Sequence, residues 1–152
     1  MSTSQQQVLE IACPVDALYA YVTQPWRWHE WHPSSRSARA DVDVLRVGDT
    51  FDEVIELQPL APLPLTLRRE THYEVKVAEP GRAFEVQGRM RDGWLTIRYD
   101  FESTPAGTRF QRRLTFDARG WSRLLLPLLR PRQEAMSRIA MANLKQRMEA
   151  AA

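Results

Sequence analysis

Leu95-Thr96-Ile97-Arg98-Tyr99-Asp100-Phe101-Glu102 alternates apolar and polar residues without a break. In an extended chain Leu95, Ile97, Tyr99 and Phe101 share one face, and Thr96, Arg98, Asp100 and Glu102 share the other. Such a strand rests one face on a core and turns the other to water. The neighbouring segments repeat the pattern. Upstream, Phe84, Val86 and Met90 oppose Glu85, Gln87 and Arg89. Downstream, Phe110, Arg112, Leu114 and Phe116 share a face. Working outward, strands are expected over 5–12, 36–46, 50–58, 65–79, 83–91, 94–103 and 108–118. Val47-Gly48-Asp49, Glu79-Pro80-Gly81, Arg91-Asp92-Gly93 and Pro105-Ala106-Gly107 lie between them and supply a positive φ or a preset proline φ. Gly88 falls inside a strand, which predicts a bulge or a close backbone approach.

Helices flank these strands. Pro14 to Thr23 reads as one, with Asp16 in its first turn and Val15, Leu18, Tyr19 and Val22 on one face. Pro25 to Trp31 reads as a second short helix or turn. Gly120 ends the last strand, and Pro127 and Pro131 are expected to break up the stretch Trp121–Arg132. Pro131 then opens a long helix to about Glu149. Its apolar side is read as Met136, Ile139, Ala140, Leu144 and Met148, with Glu134–Arg138 and Lys145–Glu149 paired opposite. One helix cannot cover both faces of seven strands. The fold class that follows is α+β: a strongly curved antiparallel sheet wrapping its concave face around the long C-terminal helix, with two short helices after the first strand. No domain boundary is legible, so residues 1–152 read as one domain. Where sheet and helix diverge, a cavity opens.

Composition narrows the functional classes. The chain has 152 residues, 43% of them hydrophobic, enough to bury roughly two-thirds of its unfolded surface. Its longest apolar run, Leu124–Leu129, is far short of the ~20 residues a membrane span needs. The polar start, Met1 to Gln7, lacks the apolar stretch of a signal peptide, and a cytoplasmic protein is expected. A single cysteine, Cys13, excludes an internal disulfide and a cysteine-based zinc site. Residues 1–108 carry a net −5 and residues 109–147 a net +8. A solvated basic helix face accounts for this, and contact with an acidic partner or membrane surface is the sharper alternative. Nucleic acid is disfavoured: no Lys/Arg run exceeds two residues, and aromatics do not alternate with the arginines.

The order of elements resembles the START-like (SRPBCC) superfamily, the helix-grip fold of polyketide cyclases, lipid-transfer domains and Bet v 1-like carriers. Ile11-Ala-Cys-Pro-Val-Asp-Ala-Leu-Tyr-Ala-Tyr-Val22 and the tryptophan-rich Pro25-Trp-Arg-Trp-His-Glu-Trp-His-Pro33 are similar to the start of its bacterial polyketide cyclase/dehydrase branch. Val47-Gly48, Glu79-Pro80, Gly107-Thr108-Arg109, Leu124–Leu129 and Asn143–Glu149 fit the same branch in order and spacing. The resemblance spans nearly the whole chain and contains no catalytic signature. It implies an apolar ligand held under the helix, in a superfamily of which only some members are enzymes.

Strand parity nominates the site. Glu53 among Phe51, Ile55 and Leu57, Arg69 among Leu67, Thr71, Tyr73 and Val75, and Arg112 among Phe110, Leu114 and Phe116 are charges on otherwise apolar faces. A buried charge needs a partner, a ligand or water. Either these groups orient a ligand carboxylate, phenolate or carbonyl, helped by Tyr73 and Tyr99, or they form a structural ion pair. The candidate ligand-binding set is Trp31, Glu53, Arg69, Tyr73, Phe84, Tyr99, Arg112, Met136 and Ala140. Trp26, Trp28 and Trp31 either line its mouth or pack the short helices. His29 and His32 flank Glu30 but make only half a metal site, with His72 on the outer face, so no metal is expected. Cys13 reads as a buried apolar residue. No catalytic triad, phosphate loop or dinucleotide fingerprint appears, and no cofactor is expected. Gln58-Pro-Leu-Ala-Pro-Leu-Pro-Leu65 reads as a stiff apolar loop, either capping the cavity or exposed as a lip.

Three functions stay open. The first is a carrier or sensor of a small hydrophobic or amphipathic ligand such as a lipid, polyketide or aromatic compound. The second is a polyketide cyclase- or dehydratase-type enzyme using the same cavity, with Glu53 or Tyr73 as its acid or base. The third is an interaction module with a filled core. Contact with a membrane surface and homodimerisation are left undecided.

Overall fold

A computed structural model describes residues 2–58, 62–91 and 93–151. Pro59, Leu60 and Ala61 of the proline-leucine loop, Asp92 of the turn at 91–93, and the side chains of Leu125 and Leu126 lie outside the described residues. The elements run β1 (Ser2–Ile11), α1 (Val15–Val22), a 3₁₀ helix (Pro25–Glu30), β2 (Ser35–Ala40), β3 (Thr50–Leu57), β4 (Leu67–Glu79), β5 (Ala83–Met90), β6 (Gly93–Thr104), β7 (Gly107–Ala118) and α2 (Trp121–Ala151). The strands form one seven-stranded antiparallel sheet in the order β1-β7-β6-β5-β4-β3-β2. Hairpins link consecutive strands from β2 onward, and β1 returns to pair β7 from Ser2↔Asp117 to Ile11↔Thr108. This is the curved sheet and long terminal helix of the helix-grip fold.

The second strand is shorter than expected. It ends at Ala40, opposite Phe51, because the chain must turn back there to begin β3 at Thr50. Val42, Val44 and Val47 of the connection are exposed, and only Leu45 tucks into the core among the described residues of that turn. Gly48 N–H donates to the Val75 carbonyl, and Val75 N–H to that of Asp49, tying the connection to β4.

The terminal helix is the larger correction. Pro127 and Pro131 lie inside one continuous helix rather than breaking it. Each proline forfeits a single backbone bond to the residue four before it. Both are exposed, so water can take the freed carbonyls of Arg123 and Pro127. The buried face is also rotated from the expected one. Ser137, Ala140, Met141, Leu144 and Met148 are buried, whereas Ile139 is 44% exposed. Lys145 pairs with Glu149 at 2.8 Å as expected, but Glu134 pairs with Arg130 at 3.2 Å, one turn earlier than Arg138. Lys145 Nζ also donates to the Glu10 carbonyl, and Glu149 accepts from Ala12 N–H, so the helix end is clamped to β1.

Gly88 makes the close approach its position suggested. It sits opposite Tyr73, and a Cβ there would lie 2.6 Å from both Tyr73 Cε1 and Thr71 Cγ2. The bulge falls elsewhere, in β4 between Val75 and Val77. Beyond it the parity of β4 reverses, so Ala78 rather than Val77 faces Phe84.

The concave face is filled unevenly. At one end Tyr19 of α1, Phe84, Phe101 and Phe110 interlock, with Tyr19 and Phe101 edge to face at 5.2 Å and Phe101 and Phe110 at 5.3 Å. These rings are worth more than their buried area alone. At the other end the sheet and α2 stand apart.

Candidate functional site

The space between them is a cavity of about 130 Å³. The inward positions of β3 to β7 form its floor and the 3₁₀ segment one wall. Leu129, Gln133, Met136 and Ser137 of α2 form its roof. Most of the lining is apolar, from Ile55 and Leu57 through Leu95 and Ile97 to Leu114 and Phe116. Period-two alternation delivers these side chains: every second residue of each strand must point this way.

Polar groups gather at one part of the wall. Glu53 and Arg112 are 5% and 4% exposed. Glu53 Oε2 accepts from Ser35 Oγ at 2.7 Å and Oε1 from Tyr73 Oη at 3.3 Å. Burial pushes the Glu53 carboxyl up to about 7, against the opposing pull of those two hydroxyls and of Arg112. Tyr73 is raised well above its ordinary value by burial and then by Glu53. Burial lifts the Tyr99 phenol to about 12, with Arg112 working the other way. Arg112 donates to Ser137 Oγ at 3.2 Å, which ties β7 to α2. His32 is driven down to about 3 by burial and the Arg112 charge, and its Nδ1 accepts from Ser34 N–H at 3.2 Å. It is therefore a neutral imidazole in the wall.

Among the described residues, four buried polar atoms of the cavity lining have no protein partner: Trp31 Nε1, Ser34 Oγ and Arg112 Nε on the walls and Gln133 Oε1 in the roof. Polar atoms so placed are costly unless something completes their hydrogen bonds. Together the wall can orient a polar head group while the rest of the lining covers an apolar body.

Of the residues nominated from sequence, the structure brings Trp31, Glu53, Arg69, Tyr73, Tyr99, Arg112 and Met136 onto this one cavity. Phe84 and Ala140 are placed elsewhere. Phe84 lies behind the cavity, stacked with Tyr99 at 6.1 Å, and Ala140 is sealed in the core under α2. Trp28 both packs and lines: it donates to the Val22 carbonyl at 2.8 Å and meets Phe51 edge to face at 5.6 Å. Among the described residues Glu53 takes no arginine in an ion pair; its direct partners are the Ser35 and Tyr73 hydroxyls. Sequence reading missed His32, Ser34, Ser35, Gln133 and Ser137. The last two were signalled in part by their spacing, seven and three residues before Ala140. Ser34 sits in the turn before β2, and Ser35 opens that short strand, whose register slips between Ser35 and Ser37, so alternation could not place them.

The other candidates fall outside the site. Glu30 is taken by Tyr21, Arg27 and Arg147, and His29 is exposed. Among the described residues no three His, Cys, Asp or Glu side chains are grouped to hold a metal. Cys13 is buried and its thiol is pushed up by burial and by Glu149, the opposite of an activated nucleophile. No helix is long and apolar enough to cross a membrane among the described residues. Leu63 and Leu65 of the proline-leucine loop are exposed.

Comparison with known proteins agrees with this architecture. The family model described as polyketide cyclase / dehydrase and lipid transport matches residues 2–149. No curated protein matches the chain. Among solved structures, the Zhui aromatase/cyclase from Streptomyces sp. R1128 superposes with a TM-score of 0.74 at 9% identity, covering 98% of this chain and 94% of that one. A START superfamily protein from Mycobacterium smegmatis gives 0.71 at 12% identity, covering 99% of both chains. The di-domain ARO/CYC StfQ from the steffimycin biosynthetic pathway gives 0.71 at 17% identity, covering 99% of this chain and 51% of that one. At these identities the superpositions establish the fold alone.

Proposed function

Because the chain belongs to the polyketide cyclase / dehydrase and lipid transport family, we propose that residues 1–152 form one domain that binds a small, mainly apolar ligand between the sheet and α2, as a carrier or sensor. The observation that carries this reading is the apolar cavity of about 130 Å³. An apolar protein cavity of about 150 Å³ holds a benzene molecule, so the space suits one ring or a short acyl segment. The proposal keeps the protein in the cytoplasm and makes a small molecule, not nucleic acid, its partner.

Titration with toluene tests it. Toluene should bind one-to-one and shift the methyl resonances of Ile97, Leu114 and Met136. Ile97, on β6, lines the cavity. Ile97→Trp fills the space and should weaken toluene binding at least ~10-fold while the far-ultraviolet circular dichroism stays native. Equal binding by both proteins, or shifts confined to other residues, would refute the cavity as the site.

A cyclase- or dehydratase-type reaction in the same cavity is the second reading. Glu53 favours it, because a buried carboxyl with a pKa near 7 beside a tyrosine hydroxyl can hold or release a proton at neutral pH. A rate profile with an ionisation near 7 that Glu53→Gln abolishes would mark this reading over the first.

A further inference from the structure

We propose that the ligand is a small organic acid whose carboxylate sits at Arg112 and Trp31, with its ring or short chain in the apolar part of the cavity. The inference rests on the cavity reading above and adds the chemistry of the head group. Arg112 is a buried guanidinium, 4% exposed. Its hydrogen bonds run to neutral hydroxyls, from Nη1 to Ser137 Oγ and from the guanidinium to the Tyr99 phenol, and Nε has no acceptor. The carboxyl that shares the wall does not complete it: both Glu53 oxygens are engaged by Ser35 and Tyr73. A second guanidinium, Arg69, borders the same space but is already engaged by a partner of its own. The Trp31 indole N–H is a second buried donor without an acceptor, and the Ser34 hydroxyl can turn to serve as a third. His32, held neutral, adds no competing charge. Fixed donors around a buried guanidinium that is bonded directly to neutral hydroxyls form a receptor for an anionic oxygen. A neutral carbonyl would bring no charge to meet that guanidinium.

Three probes that share a tolyl ring separate this proposal from the reading beneath it: toluene, and 4-methylbenzamide and 4-methylbenzoate of equal outline, titrated calorimetrically into the unaltered protein at pH 7. The carboxylate should bind at least ~10-fold more tightly than the amide, since it brings an opposite charge and two acceptor oxygens to the guanidinium where the amide brings one neutral oxygen. Arg112→Met should abolish that preference. Trp31→Phe, which removes the indole N–H and keeps a ring, should reduce it several-fold. If toluene and the amide bind but the carboxylate binds no better than the amide, the head-group assignment is wrong and the cavity reading stands. If none of the three binds, both fall. Because the first comparison uses the native chain, a variant that fails to fold does not blunt the test.

Discussion

At the scale of single residues, Gly88 shows how a missing side chain positions a present one. The Tyr73 ring lies flat against the β5 backbone because Gly88 has no Cβ, and there its hydroxyl reaches Glu53 at 3.3 Å. In Gly88→Ala the new methyl would press into that ring and into Thr71 at 2.6 Å. The variant should lose about 1–3 kcal/mol in urea unfolding. It should also lower the Glu53 carboxyl's share of buried tyrosine contact, visible as a changed Tyr73 fluorescence or ring resonance. A variant as stable as the parent, with an unmoved Tyr73 resonance, would show that the ring is not pinned by this contact. The glycine's role was legible only as a choice between bulge and close approach. Which of the two holds depends on what stands opposite, and strand pairing decides that.

At the scale of elements, α2 carries two prolines in an unbroken helix of 31 residues. Its C-terminal half is anchored by Ala140, Leu144 and Met148 and by the clamp to β1, whereas Leu124 near its start is 71% exposed. The proline-bearing half roofs the cavity through Leu129 and Gln133. Pro131→Ala restores one backbone bond and removes a ring clash, while giving back freedom to the unfolded chain. The expected balance is a gain of roughly 1–2 kcal/mol in guanidinium unfolding, with slower amide exchange over residues 127–135. Faster exchange there, or a loss of stability, would mean that the helix needs its proline bend to close over the sheet. Sequence reading began the helix only at Pro131 because it weighed the local cost of the prolines alone. The solvent around them and the anchored far end are tertiary facts.

At the scale of the whole molecule, the fold holds two titratable groups away from their ordinary values in opposite senses. Glu53 is raised from 4.5 to about 7. Its carboxyl is neutral in both states below pH 4.5, so no stability is lost there. Between 4.5 and 7 the unfolded chain ionises while the folded one does not, and stability falls, by roughly 3 kcal/mol in full above pH 7. His32 is lowered from 6.5 to about 3. It is neutral in both states above 6.5, and stability falls as pH drops from 6.5 toward 3. The two slopes oppose each other between 4.5 and 6.5. Urea unfolding of the native chain at pH 5.5 and pH 8 should therefore show only a small net loss toward pH 8, since His32 regains stability as Glu53 loses it, and Glu53→Gln should turn that loss into a gain. A variant that keeps the whole loss would place its origin in other groups.

Alternation along 83–118 was enough to assign faces, strand order by hairpins, and the need for one long helix on the concave side. That reading is robust because a period of two puts every second side chain on a common face whatever the partner strand is. The same alternation over 51–57 and 65–77 put Glu53, Arg69 and Tyr73 on inward faces with Tyr99 and Arg112, and all five line the cavity. Three things were left to the tertiary structure: that Glu53 bonds to Ser35 and Tyr73 rather than to an arginine, that Phe84 and Ala140 close the core while Met136 faces open space, and that the sheet is filled at one end and hollow at the other. Each depends on distances of a few ångströms between elements far apart in the chain. Strand curvature, a slipped register at Ser35 and the rotation of α2 set those distances, and no local pattern of residues encodes them.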